Sequence, residues 1–140
     1  MAHLFPSADW VAALETAINH SPAYASSAKT WEGDFHFVIE PGERIVEPVK
    51  IYLDLWHGQC RGAHLVDGSD GATPEFIISG PLSVYRRIFE KKLDPIQALM
   101  SRKLKLQGNM GKVMRAVKAT LDLVNCAASV ETVYEVEREA

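Results

Sequence analysis

Lys103-Leu104-Lys105-Leu106-Gln107-Gly108-Asn109-Met110-Gly111-Lys112-Val113-Met114 is the stretch whose reading decides the fold. Its first four residues alternate charged and apolar, the period of a strand with one buried face. Gly108, Asn109 and Gly111 then break the extended run and permit a tight change of direction. From there the apolar residues recur at Met110, Val113, Met114, Val117, Leu121 and Val124, the spacing of one helical face. The stretch therefore predicts a strand, a glycine hinge and one long helix. A helix with an oily, methionine-bearing face is a good wall for an apolar ligand.

Upstream of this stretch, Asp94 caps a helix with Pro95 at its first position, and Ile96, Leu99 and Met100 face inward. Residues 75–79 are nearly all apolar and predict a short central strand. Gly80-Pro81 stops it and starts a helix with Val84, Tyr85, Ile88 and Phe89 on one side. Further back lie strands over 60–66 and 49–57. In the latter, Val49, Ile51, Leu53 and Leu55 share one face, and Lys50, Tyr52, Asp54 and Trp56 the other. Gly58-Gln59 marks the turn between them. Gly33 opens the first strand of the sheet, with Phe35, Phe37 and Ile39 opposed to His36 and Val38. Turns are predicted at Glu40-Pro41-Gly42-Glu43 and in the glycine-rich loop from Asp67 to Gly71.

At the start of the chain Ser7 caps a helix carrying the stripe Trp10, Leu14, Ala17 and Ile18. Ser21 and Pro22 start a second helix reaching Trp31. After Ser129, Val130, Val133 and Tyr134 fall at helical spacing, followed by the charged run from Glu135 to Glu139. Strands meander first and helices gather at both ends, so the class is α+β: a five-stranded sheet with helices packed on one face.

The chain has 140 residues, 47% hydrophobic and 24% charged, with a net charge of −3. That is an ordinary globular composition, long enough for one domain with a sizeable core. The net charge argues against a nucleic-acid partner. Cys60 and Cys126 have no metal-ligand spacing and read as buried reduced thiols. No apolar run approaches the about 20 residues that cross a bilayer. The start of the chain lacks the pattern of a signal peptide, so a cytoplasmic location is expected.

The residues from Leu93-Asp94-Pro95 to Met114 resemble the C-terminal half of sterol carrier protein 2 (non-specific lipid-transfer) domains. The likeness rests on the polar-proline helix start, the Lys-Leu-Lys-Leu strand, and Gly108-Asn109-Met110-Gly111 followed by Met114. Phe76-Ile77-Ile78, the helix over 84–89, and the strands containing Phe35–Ile39 and Ile51–Leu55 fit in order. The resemblance spans roughly residues 30–125 of a chain read as one domain, and is strongest over 74–114. It implies a mixed five-stranded sheet, helices over one face and a hydrophobic tunnel between the layers. It further implies a non-enzymatic carrier of fatty acids, fatty acyl-CoA, phospholipids or sterols, with no cofactor. Arg102 stands where the family often has glycine, and the chain does not end in a peroxisomal address.

On this reading Ile78, Val84, Ile88, Phe89, Ile96, Leu99, Met100, Met110, Met114, Val117 and Leu121 surround the lipid. Methionine suits a promiscuous lining because its unbranched thioether repacks around varied shapes. Other chemistry finds little support. The Gly108 turn lacks the phosphate-loop spacing, although the helix start after it offers amides to a lipid carboxylate or phosphate. His57 and His64 flank a turn but form no metal spacing, and Asp67, Asp70 and Gly71 lack the rest of a calcium loop. Lys103 and Lys105 read as a solvated strand face, with docking to anionic headgroups or CoA phosphates as the alternative. Two alternatives stay open: a dimerisation or interaction domain with a filled interior, and an accessory subunit sheltering acyl thioesters. A transient contact with a membrane or an enzyme, and a monomer or homodimer, are both compatible with the sequence.

Overall fold

The computed structural model describes residues 2–42, 47–66 and 73–134. The expected turn at Glu43, the loop from Asp67 to Gly71 and the charged run from Glu135 to Glu139 lie outside the described residues.

Three strands, β2 (Glu32–Glu40), β3 (Val49–Trp56) and β4 (Gln59–Val66), form an antiparallel meander. After it, β5 (Phe76–Pro81) lies parallel to β2, and β6 (Lys105–Gln107) pairs antiparallel with β5. The sheet is thus mixed, in the order β4-β3-β2-β5-β6. The apolar β5 is an interior strand, although β2 holds the centre. Alternation sends Phe35, Ile39, Ile51, Leu53, Leu55, Phe76 and Ile78 to one buried face. The β3–β4 turn falls at His57-Gly58, one residue earlier than the sequence suggests. Both residues have positive φ, 50° and 81°, which suits the right-handed twist of a two-residue hairpin.

The helices cover that buried face. Ser7 and Ser21 cap α1 (Ala8–Asn19) and α2 (Pro22–Ser27), accepting from the amides of Trp10 and Tyr24. The second helix is shorter than expected and stops before Trp31. Next come α3 (Leu82–Phe89) and α4 (Pro95–Met100), the latter capped by Asp94 through the amides of Ile96 and Gln97. The segment after β6 is two helices rather than one: α5 (Met110–Met114) and α6 (Val117–Ser129). Neither Arg115 nor Ala116 breaks a helix by itself. However, Val113 and Ala119 are both buried, and on one straight helix they would sit about 120° apart around the axis. The bend at Arg115-Ala116 brings both to the core.

Two short strands close the fold from its ends. β1 (His3–Phe5) pairs in parallel with β7 (Thr132–Tyr134). The helical spacing of Val130, Val133 and Tyr134 is therefore misleading. Strand pairing wins because it supplies backbone partners and buries Phe5 and Tyr134, whose rings lie 6.0 Å apart.

Candidate functional site

Between the sheet and the helical layer lies an apolar cavity of about 110 Å³. Its floor is the covered sheet face, with Phe35, Phe37, Ile51, Leu53, Leu55 and Ile78. One end is walled by aromatic rings: Phe5 and Trp10 are 4.5 Å apart edge to face, and Trp10 stacks on Phe89 at 5.5 Å. Trp31 closes another side, stacked on Phe35 at 5.8 Å. The roof is the inward face of α6 together with Ala116, which caps its start. There Ala116, Ala119, Thr120 and Ala127 are small, so a packed helix still leaves a void above the large sheet residues.

The indole, threonine and Tyr85 polar atoms of this lining are committed elsewhere. Trp10 Nε1 donates to Thr132 Oγ1 at 2.9 Å, and Trp31 Nε1 to the Gly33 carbonyl at 3.2 Å. The Tyr85 hydroxyl lies 3.1 Å from the carbonyls of Val38 and Ile78, and Thr120 Oγ1 donates to the Ala116 carbonyl at 2.9 Å. Burial pushes the Tyr24 and Tyr85 phenols up, so both stay neutral. Burial likewise drives the Cys60 thiol up to about 11 and raises that of Cys126. Both cysteines are free and buried. As neutral thiols they are poor nucleophiles.

Of the expected lining, Ile78, Ile88, Phe89 and Leu99 face the cavity. Val84 and Met114 pack against the core outside it, and Ile96 is half-buried away from the void. Met100, Met110, Val117 and Leu121 are exposed. The physical reason is the bend after α5. It turns Val113 inward and leaves Met110 of that helix on the outer side, while at the start of α6 and along it the inward stripe is Ala116, Thr120 and Val124. The missed lining has two signals in the sequence. One is the β2–β3 apolar face, and the other is the run of small residues on α6 opposite it.

The hinge itself is narrower than expected. Gly108 has a φ of +130°, whereas Gly111 sits within α5 without left-handed backbone. Asn109 Oδ1 accepts from the Lys112 amide at 3.1 Å, so an amide at the start of α5 is already taken. Lys112 Nζ donates to Glu75 Oε2 at 2.8 Å and to the Glu32 carbonyl, and stands 4.9 Å over the Trp31 ring. These contacts pin α5 to the sheet. Arg102 adopts a φ of 63°, so the turn that the family often makes with glycine is kept by an arginine in the left-handed region. His57 binds Glu32 at 2.6 Å while His64 lies beside Tyr52, so the two histidines are not brought together. Among the described residues no group of His, Cys, Asp and Glu is arranged to hold a metal ion.

The SCP-2 sterol transfer family matches residues 13–121. The chain belongs to that family. A crystal structure of sterol carrier protein 2 is 33% identical, covers 89% of this chain and 97% of its own, and superposes with a TM-score of 0.80. The solution structure of a conserved hypothetical protein from Thermus thermophilus is also 33% identical. It covers 91% of this chain and 90% of its own, with a TM-score of 0.82. The apo form of sterol carrier protein 2 from Yarrowia lipolytica shares the fold at 16% identity, covering 85% and 89%, with a TM-score of 0.56. No curated protein matches the chain in sequence. The mixed five-stranded sheet under helices is the fold of these SCP2 relatives. Among the described residues no helix is long and apolar enough to cross a membrane.

Proposed function

We propose that this protein is a non-catalytic lipid carrier that holds acyl chains or sterols in the cavity between sheet and helices. The observation that carries the reading is an apolar lining whose tryptophan, threonine and Tyr85 polar atoms already have partners. Such a space recognises volume and apolar surface and imposes little polar selectivity. Fatty acids, fatty acyl-CoA, phospholipids and sterols all offer that surface. Each buried methylene contributes about 0.8 kcal/mol, so a long chain gains on the order of 10 kcal/mol before association costs. The raised thiols and the lack of a gathered acid–base pair in the lining support a carrier over an enzyme. Two free buried cysteines suit a reducing, cytoplasmic setting.

The volume of the void decides how the lipid enters. An apolar cavity of about 150 Å³ takes up benzene, so 110 Å³ is too small for a long chain. The roof must therefore move outward. The part that would move is α6 with the bend at Arg115-Ala116, because Ala116, Thr120, Leu123 and Val124 line the cavity and keep part of their surface in water. The same small volume favours a second reading, an interaction domain with a filled interior.

Brominated fatty acid separates the two. Trp10 and Trp31 line the cavity and Trp56 does not, so in a Trp56→Phe protein bromine should quench the remaining fluorescence. Thr120→Trp, which fills the void, should lower fatty-acid uptake at least tenfold in a displacement assay. Uptake by Thr120→Trp equal to wild type, or no quenching at micromolar fatty acid, sinks the carrier reading.

A further inference from the structure

We infer that the face built by residues 95–121 docks on an anionic membrane surface, presenting the cavity's roof to the bilayer; this deepens the lipid-carrier reading and rests on it. Charge is the first observation. Between Pro95 and Leu121 the chain carries Arg102, Lys103, Lys105, Lys112, Arg115 and Lys118 and no acidic residue. The rest of the chain holds nine basic residues against all 18 acidic ones, so within a protein of net charge −3 this stretch alone stands at +6. Among the described residues Arg102, Lys103 and Arg115 have no acidic partner, while Lys105, Lys112 and Lys118 meet Glu40, Glu75 and Asp122.

Apolar exposure is the second, independent observation. Of the five exposed large hydrophobic residues among those described, four lie in this segment: Met100 at 69%, and Met110, Val117 and Leu121 at 38% each. The fifth, Trp56, is covered by Arg61 at 4.3 Å and stacked on His57. Exposed apolar side chains interleaved with unpaired cations fit a lipid interface. The apolar groups enter the acyl boundary and the cations stay among the headgroups. A soluble anion would satisfy the charge and leave Met100 and Leu121 in water.

The third observation is position. Every exposed apolar residue here shares an element or junction with a cavity-lining residue: Leu99 precedes Met100, Ala116 precedes Val117, Thr120 precedes Leu121, and Val113 shares α5 with Met110. Docking this face therefore sets the part of the wall that must move against the source of lipid. Arg102 supports the same reading, since a left-handed backbone there is easier for glycine and yet carries an unpaired cation.

Flotation with vesicles tests this, using phosphatidylcholine alone and phosphatidylcholine mixed with phosphatidylglycerol. The wild type should bind the mixed vesicles more tightly, and more weakly as salt rises. Each cation removed should lower that binding about fivefold, equivalent to about 1 kcal/mol. A protein carrying Arg102→Gly, Lys103→Ser and Arg115→Ser should lose about a hundredfold on mixed vesicles. Arg102→Gly alone relieves the left-handed backbone, so its loss of binding cannot be ascribed to unfolding. Leu121→Ser should weaken binding without changing its salt dependence. Equal binding to both vesicles, or a triple variant that binds like wild type, overturns the inference. So does no binding to either, which hands the face to a protein partner or a second copy, distinguished by mass across a concentration series. Fatty-acid displacement without vesicles is read in parallel. Uptake without flotation refutes the docking alone, and flotation without uptake refutes the carrier reading alone.

Discussion

Gly108 sits at a φ of +130°, and a Cβ added there would lie 2.6 Å from the Phe76 ring and 3.0 Å from the Glu75 carbonyl oxygen. Phe76 is fully buried and cannot yield. Gly108→Ala should therefore cost about 1–3 kcal/mol in urea unfolding, from backbone strain and overpacking together. Gly62→Ala, where an added Cβ meets nothing within 4 Å, should stay within about 0.5 kcal/mol. Equal losses at the two positions would remove the claim that Gly108 is the hinge. The sequence made this glycine conspicuous because it ends an alternating run. It could not reveal that Gly111 keeps ordinary backbone, since that depends on where α5 begins. Arg102 was similarly opaque: a left-handed arginine has no compositional signature, and only the turn that follows α4 requires it.

The joins between elements hold α6 over the cavity. Asp122 is buried on α6; burial raises its carboxyl, but hydrogen bonds from Ser27 of α2, Lys118 and Asn125 outweigh that and hold it below its ordinary value of 3.8. A folded value below the unfolded one means its stabilisation is fully present above about 3.8 and fades as pH falls through the depressed value. Wild type should thus lose stability on acidification from pH 6 into that range faster than Asp122→Asn in chemical denaturation. Parallel curves would show that the carboxylate does not tie α2 to α6. Five strands and the caps at Ser7, Ser21 and Asp94 were legible, because alternation and capping act within a few residues. The bend between α5 and α6 was not. It answers the simultaneous burial of Val113 and Ala119 by a layer lying far off in sequence. The pairing of β1 with β7 joins residues about as distant as the chain permits, and three-residue strands leave almost no pattern to read.

Across the whole molecule, the lining that sequence reasoning favoured and the lining that folding produces differ in kind. Long flexible residues drew attention to Met100, Met110 and Met114, yet the void exists because small residues on α6 face large ones on β2 and β3. Space is made by what is absent from a helix face, and a count of apolar residues does not register it. A cavity of 110 Å³ under a movable roof also makes a graded prediction. With a rigid roof, fatty-acid affinity would rise over a few methylenes and then level off as further carbons remain in water. With α6 moving outward, each added methylene stays buried and contributes up to about 0.8 kcal/mol, roughly a fourfold tightening. Binding measured over saturated fatty acids from octanoate to palmitate should therefore tighten steadily along the series. The same ligands should slow amide exchange in α5 and α6 more than in β2 and β3, because a filled cavity props and orders its roof. A plateau at short chains with unchanged exchange in α6 would mean that the roof is rigid and that the cavity holds no long lipid.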